Sequence, residues 1–433
     1  MIFRPVMKLK VTIMGNDSPL YALQKALVVT RTPTLLDSVV ELFYMGENTM
    51  SHFDARGRII YETHHLLFPA ITILAKAIPA MQQLHTVRLA RMSVSKMELY
   101  SILSSPCLIH LIIDRAKIPK LNKVPPPRLR KLTLIVVASW KGVEPLIGQL
   151  ATSLEYLELQ QCNFLAPRPL LYPPFPRLRE LRHHQWYLST TFSDRSRLSE
   201  LIQLGSQITH LHLSGSFEHI DRVAAFPGSL LHLSVEAWML TEPYFGTCTF
   251  PGLLSLSVKQ CVLYKGSLIG DDHIRRLPSL IRDCFPRISS LQLHIQWSFR
   301  NVALEIARFQ RNVQALTLDI GTLEGLDYEE IEATVPDRHN EITTAYLSTE
   351  QAPLQSLRLD ITQTYHELEQ SVAPCTRWVE NDTLPFVTGV GGPDLKSVDV
   401  SFIQLETNWV QERVLRRQWA KSIKGEWEMY RSL

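Results

Sequence analysis

One short phrase of apolar and polar residues recurs along the chain. In Leu154-Glu155-Tyr156-Leu157-Glu158-Leu159-Gln160-Gln161-Cys162-Asn163, apolar side chains stand at the first, fourth and sixth places and a cysteine at the ninth. Leu157 and Leu159 alternate with Tyr156, Glu158 and Gln160, the period-2 pattern of a strand with one face buried. The same spacing predicts strands at Val6/Leu9/Val11, Val39/Leu42/Tyr44, Leu84/Val87/Leu89, Leu108/Leu111/Ile113 and Leu129/Leu132/Leu134. After Leu154 it continues at Leu178/Leu181/His183, Ile208/Leu211/Leu213, Leu230/Leu233/Val235, Leu253/Leu256/Val258 and Ile288/Leu291/Leu293. It ends at Val313/Leu316/Leu318, Leu354/Leu357/Leu359 and Leu395/Val398/Val400. From Leu84 to Leu253 successive units begin 21 to 30 residues apart, within or close to the ~20–29 of a leucine-rich repeat.

Proline punctuates the same register. Pro106, Pro127, Pro176, Pro251, Pro286 and Pro393 stand two residues ahead of a first position, and Pro227 stands three ahead. Proline ends the preceding segment and favours extended backbone, so it belongs just before a strand. Phe175, Phe226, Phe250 and Phe285 precede four of these prolines and are expected to plug the gaps between coils. Glu144–Leu150 and Ser196–Leu204 read as short return helices. A coil of this kind cannot bury its apolar side alone, so the units must stack. The expected class is α/β: a leucine-rich-repeat solenoid with a curved parallel sheet inside and short helices and loops outside.

One irregular solenoid is expected over residues 1–404, with 324–350 (eight acidic residues against Arg338) and the Pro/Gly-rich 374–394 as inserted loops. Over 405–433, Leu415, Trp419, Ile423 and Trp427 recur every four residues, which predicts a C-terminal capping helix. Val6 is already a strand position, so the first coil is either open or continued upstream.

Composition changes this picture little. Of 433 residues, 45% are hydrophobic and 20% charged, as in folded rather than disordered chains. Charge is uneven: residues 1–135 carry 18 Lys/Arg against 8 Asp/Glu, and the remainder 27 against 34. No apolar run approaches the ~18 residues of a membrane span, and the N-terminus lacks a signal-peptide pattern. The six cysteines are scattered without a Cys-x-x-Cys pair and read as reduced thiols, giving a cytoplasmic or nuclear expectation.

Signatures of hydrolases, P-loop enzymes, dinucleotide binders and zinc sites are absent, so no enzyme, cofactor or metal is expected. The informative surface is the outward strip at repeat positions 3, 5 and 7. In the middle of the array it reads Tyr156, Glu158, Gln160; Glu180, Arg182, His184; His210, His212, Ser214; His232, Ser234, Glu236. With strands ~4.8 Å apart, His210 and His232 should be neighbours, and His212 should lie beside Arg182. Such a strip suits recognition of a protein, with metal binding or pH sensing as alternatives. The candidate partner-binding residues are Tyr156, Glu158, Glu180, Arg182, His184, His210, His212, His232 and Arg358. A second reading uses the basic run Arg115, Lys117, Lys120, Lys123, Arg128, Arg130 and Lys131 to bind nucleic acid through phosphates; no aromatic platform accompanies it.

At Leu84–Leu89, Leu99–Leu111 and Pro125–Leu134 the chain resembles the leucine-rich-repeat part of fungal F-box proteins. The resemblance implies repeats that capture a protein substrate for a Skp–cullin–F-box ubiquitin ligase, whose adaptor is bound by a separate three-helix F-box. That box is not found: Pro33–Phe43 fits a repeat better. The resemblance thus leaves open a shortened receptor or a relative that binds partners without a ligase.

Overall fold

A computed structural model of the chain describes residues 7–12, 19–46, 48–53, 59–63, 68–121, 128–137, 140–162, 173–185, 198–215, 226–241, 250–259, 275–296, 300–309, 312–321, 344, 354–364, 394–405, 411–422 and 426–432. Two compact units divide it, Met1–Ser229 and Leu230–Leu433. The expected loops at 324–350 and 374–393, Val6, Lys123 and Cys261 lie outside the described residues, except for position 344.

The first unit contains strands β1 (Met7–Thr12), β2 (Val39–Met45), β3 (Asn48–Phe53), β4 (Ile59–Thr63), β5 (Thr86–Ala90), β6 (His110–Asp114), β7 (Lys131–Ile135), β8 (Tyr156–Gln160), β9 (Glu180–Gln185) and β10 (His210–Gly215). β3 and β4 form a separate antiparallel pair. The others lie in chain order, each parallel to the last. Helices α1 (Pro19–Arg31), α2 (Pro33–Ser38), α3 (Phe68–Ala77), α4 (Lys96–Leu103), α5 (Trp140–Leu150) and α6 (Leu198–Leu204) occupy return segments. The phrase explains this order. Position 4 forms one row, Leu42, Val87, Leu111, Leu132, Leu157, Leu181 and Leu211, and every member is fully buried. Position 6 forms a second buried row from Tyr44 to Leu213, aliphatic except for Tyr44 at its start and His183. Each buried aliphatic side chain contributes about 2 kcal/mol, and none could be buried without the neighbouring coil.

The second unit repeats the arrangement with β11 (His232–Glu236), β12 (Ser255–Lys259), β13 (Ser290–Gln296), β14 (Ala315–Gly321), β15 (Ser356–Thr364) and β16 (Ser397–Leu405), all parallel. Its helices are α7 (Ala237–Thr241), α8 (Leu277–Cys284) and α9 (Arg300–Phe309). Leu233, Leu256, Leu291, Leu316, Leu357 and Val398 make its position-4 row. Phe250 and Phe285 are buried and stack at 5.1 Å between ring centroids, and Phe175 in the first unit is likewise buried, as expected of plugs; the fourth, Phe226, is only half-buried. Both units are leucine-rich-repeat solenoids. No helix among the described residues is long and apolar enough to cross a membrane.

The chain's end corrects the expected helix. Residues 411–421 form β17 (Gln411–Lys421), antiparallel to β16, and β18 (Trp427–Ser432) pairs antiparallel to β17. A spacing of four satisfies a strand's period of two as well as a helix's 3.6, so Leu415 and Trp419 share a side in either form. Pairing decides it: Trp419 lies opposite Val398 and is buried. Arg416 donates to both oxygens of Asp399, with its Nε at 2.9 Å, and Gln418 Nε2 donates to the same carboxylate at 2.8 Å.

Each coil in the middle of the first unit turns out of its strand through a left-handed residue. Arg91, Arg115, Val136 and Gln161 have φ of 51°, 50°, 47° and 52°. Their N–H groups donate to the next strand's carbonyls, Asp114, Ile135 and Gln160 at 2.8 Å and His184 at 2.6 Å. Cys162 follows this turn, buried, its Sγ 3.3 Å from the Leu134 carbonyl and 3.2 Å from that of Gln160. Burial pushes its thiol up to about 12, which marks it as structural. A β-branched residue at positive φ is the least tolerated of the four. Val136→Asn is therefore expected to stabilise the protein by about 1 kcal/mol, raising Tm by about 1 °C for a chain of this length; a thermal melt showing no rise would contradict the strain.

Candidate functional site

The outward positions of β6 to β10 are joined into one polar network. Parallel in-register pairing brings position 3 of each strand beside position 3 of the next, so Lys131, Tyr156, Glu180 and His210 form a row, as do Thr133, Glu158, Arg182 and His212. At the centre, Tyr156 Oη donates to Glu158 Oε2 at 2.6 Å, Gln160 Nε2 donates to Oε1 at 2.7 Å, and Thr133 Oγ1 donates to Oε2 at 3.2 Å. Burial works against the Glu158 charge, but these three bonds outweigh it and hold the carboxyl below its usual range.

Tyr156 is a fixed aromatic anchor. Burial first, then its bond to Glu158, keep the phenol protonated well beyond its ordinary range. Its ring has the Lys131 ammonium 5.8 Å and the Arg182 guanidinium 5.6 Å from the centroid, both within cation–π reach. His110 meets it edge-on at 6.2 Å. Arg182 is itself tethered: its Nε donates to Glu180 Oε1 at 2.7 Å and a terminal nitrogen lies 2.7 Å from the same oxygen.

The histidines occupy distinct environments. His184 Nδ1 is 2.5 Å from Ser214 Oγ, and its Nε2 is 3.8 Å from Glu158. His210 Nδ1 is 2.9 Å from Thr209 Oγ1. His212, 3.8 Å from Glu180, is pushed down to about 4, by burial first and the Arg182 charge second. It is neutral at pH 7 and cannot serve as a cation there. Among the described residues no three His, Cys, Asp or Glu side chains are gathered closely enough to hold a metal ion.

Seven of the nine candidate residues, Tyr156, Glu158, Glu180, Arg182, His184, His210 and His212, therefore share one surface in the first unit. His232 and Arg358 do not join them within that unit: His232 stands on β11 opposite Ser255, and Arg358 on β15. Arg358 Nε donates to Asp360 Oδ2 at 2.7 Å, in a second polar row that includes His294, 2.7 Å from Asp319, and Ser401, which donates to Asp360. The sequence reading missed His110, Thr133 and this second row. All fall at positions 3, 5 or 7, so extending the strip in both directions would have found them.

His183 lies behind the strip, at position 6, fully buried in the aliphatic row. Burial, and secondarily the neighbouring His184, push it down to about 3 from 6.5. With folded values below the unfolded one, the unfolded chain binds more protons between them. Stability is then full above about pH 6.5 and falls as the pH drops toward 4. His183→Leu should flatten that decline in urea-midpoint measurements from pH 7 to 4; an unchanged slope would contradict the buried neutral imidazole.

Neither a protein-family model nor a curated protein matches the chain. Among solved structures it is similar to an internalin from Listeria monocytogenes, at 13% identity over 83% of this chain and 93% of that one, with a TM-score of 0.30. At that score the likeness lends nothing to the argument, and the repeat fold rests on the register and burial described above.

Proposed function

We propose that the chain is a non-enzymatic binding scaffold whose first unit takes a protein partner on the outward strip centred on Tyr156. The observation that carries this reading is the Tyr156 ring, half-buried, hydrogen-bonded through its hydroxyl and flanked by Lys131 and Arg182. Aromatic and arginine side chains fixed before binding lose little freedom on association and are the residue types that dominate interface energetics. The strip's titratable groups favour recognition over chemistry. Glu158 is engaged by three donors, Arg182 is engaged by Glu180, and His212, pushed down to about 4, is too weakly basic to be matched to general-base work near neutral pH.

A finer form makes the partner a substrate presented to a Skp–cullin–F-box ligase in the cytoplasm or nucleus. Pro33–Phe43 does not supply the adaptor-binding box, since it divides between α2 and β2 of the repeat array. Ligase membership then requires an adaptor contact elsewhere.

Affinity capture with wild type, Tyr156→Ala, Arg182→Glu and the helix-face control Gln24→Lys, read by mass spectrometry, tests both forms. A set of proteins retained by wild type and Gln24→Lys and depleted about tenfold by each strip variant is expected. A set indifferent to Tyr156 and Arg182 overturns the strip reading, and absence of the ligase adaptor from the eluate removes the finer form.

A further inference from the structure

The basic run at 115–131 is not one surface. Arg115 follows Asp114, which pairs with Ile135, whereas Lys131 pairs with His110. At ~3.3 Å per residue, the two halves stand at opposite ends of the strands, about 15 Å apart. What joins the Arg128–Lys131 half is a pair of arginines two coils later. The Glu155 N–H donates to the Arg130 carbonyl at 2.8 Å, and the Arg179 N–H donates to that of Glu155 at 2.9 Å. Arg130, Glu155 and Arg179 therefore occupy consecutive rungs, with the two arginines about 10 Å apart. Arg128 and Arg177 hold the equivalent places two residues earlier. All five cations, Arg128, Arg130, Lys131, Arg177 and Arg179, are exposed.

Their partners leave most of this charge uncompensated. Arg128 donates to the Pro106 carbonyl at 2.8 Å, and Arg130 stands 3.8 Å from Glu155. Arg177 and Arg179 face no carboxylate within ion-pair distance among the described residues. Lys131 and Glu155 adjoin Tyr156, so the rim is continuous with the strip proposed to bind a protein.

We infer that this rim receives an acidic peptide segment of the partner, an inference that rests on the strip reading and names the partner's chemistry. In an extended segment, alternate side chains lie about 7 Å apart, so carboxylates on every second residue can reach Arg130 and Arg179 in turn while the chain beyond them passes over Tyr156. A rim about 10 Å long suits a short acidic segment, with its carboxylates set to either side of Glu155, better than a nucleic-acid backbone, whose binding draws on many phosphates.

The test pans a random displayed-peptide library against the full chain at low salt and measures synthetic copies of the selected peptides by fluorescence anisotropy. The expected pool is rich in Asp and Glu. Its members lose at least about tenfold affinity to the Arg177→Glu/Arg179→Glu double variant, and less than about twofold to Lys117→Glu/Lys120→Glu at the opposite strand end. Circular dichroism confirms that both variants fold. Equal losses from the two pairs, or tighter Arg177/Arg179-dependent binding of a labelled single-stranded RNA or duplex DNA, overturn the inference. Selected peptides that are not acidic but depend on Arg182 also overturn it, and leave the strip reading standing; no selected peptides at all would sink both.

Discussion

Stacking at a fixed register is the interaction on which the rest depends. A single coil offers a strand with three inward apolar side chains and nothing to cover them. Parallel pairing places the next coil's leucines against them at ~4.8 Å, and every position-4 residue from Leu42 to Leu211, and again from Leu233 to Val398, is buried as a result. The backbone turn after each strand serves the same end. The left-handed residues at Arg91, Arg115, Val136 and Gln161 extend the hydrogen-bonded ladder one rung beyond the strands, so the coils cannot slip relative to one another without losing both apolar cover and backbone bonds.

The same register builds the surface. Because the side-chain period is two, fixing positions 4 and 6 inward fixes 3, 5 and 7 outward. Residues 21 to 30 apart in the chain become neighbours. Thr133, Glu158 and Arg182 meet only because Leu132, Leu157 and Leu181 do. The network's electrostatics follow from half-burial: groups that would be solvated on a loose loop instead satisfy one another, and Glu158 keeps its charge because three donors reach it. His183 is the one imidazole in the first unit's buried rows, so acid sensitivity is built into the core behind the strip.

The parallel repeat strands were legible in the sequence because the 1-4-6 spacing recurs often enough to exclude chance, with the prolines in phase; the β3–β4 pair, which lacks that spacing, was not. The C-terminal hairpin was not, because Leu415 and Trp419, four apart, fit two periods at once. Strand pairing separates them: Trp419 lies opposite Val398, and Arg416 and Gln418 meet Asp399 across the strands. Membership of the strip was legible residue by residue, but its pairings were not: nothing in the spacing says that Tyr156 bonds within its own strand to Glu158, or that Arg182 turns back to Glu180. The basic run was misleading for the opposite reason, since closeness in sequence across a turn between strands is separation in space, while Arg130 and Arg179 are drawn together.

The central claim is the register itself, and paired cysteines read it directly. Thr133→Cys with Glu158→Cys places two thiols on facing outward positions of β7 and β8, within the ~4.4–6.8 Å Cα separation a disulfide requires. Mild oxidation should link this pair and leave Thr133→Cys with Leu157→Cys, or with Leu159→Cys, unlinked. Cross-linking of either leucine position in preference to Glu158 would mean that the faces are inverted, and would contradict both the fold and the surface built on it.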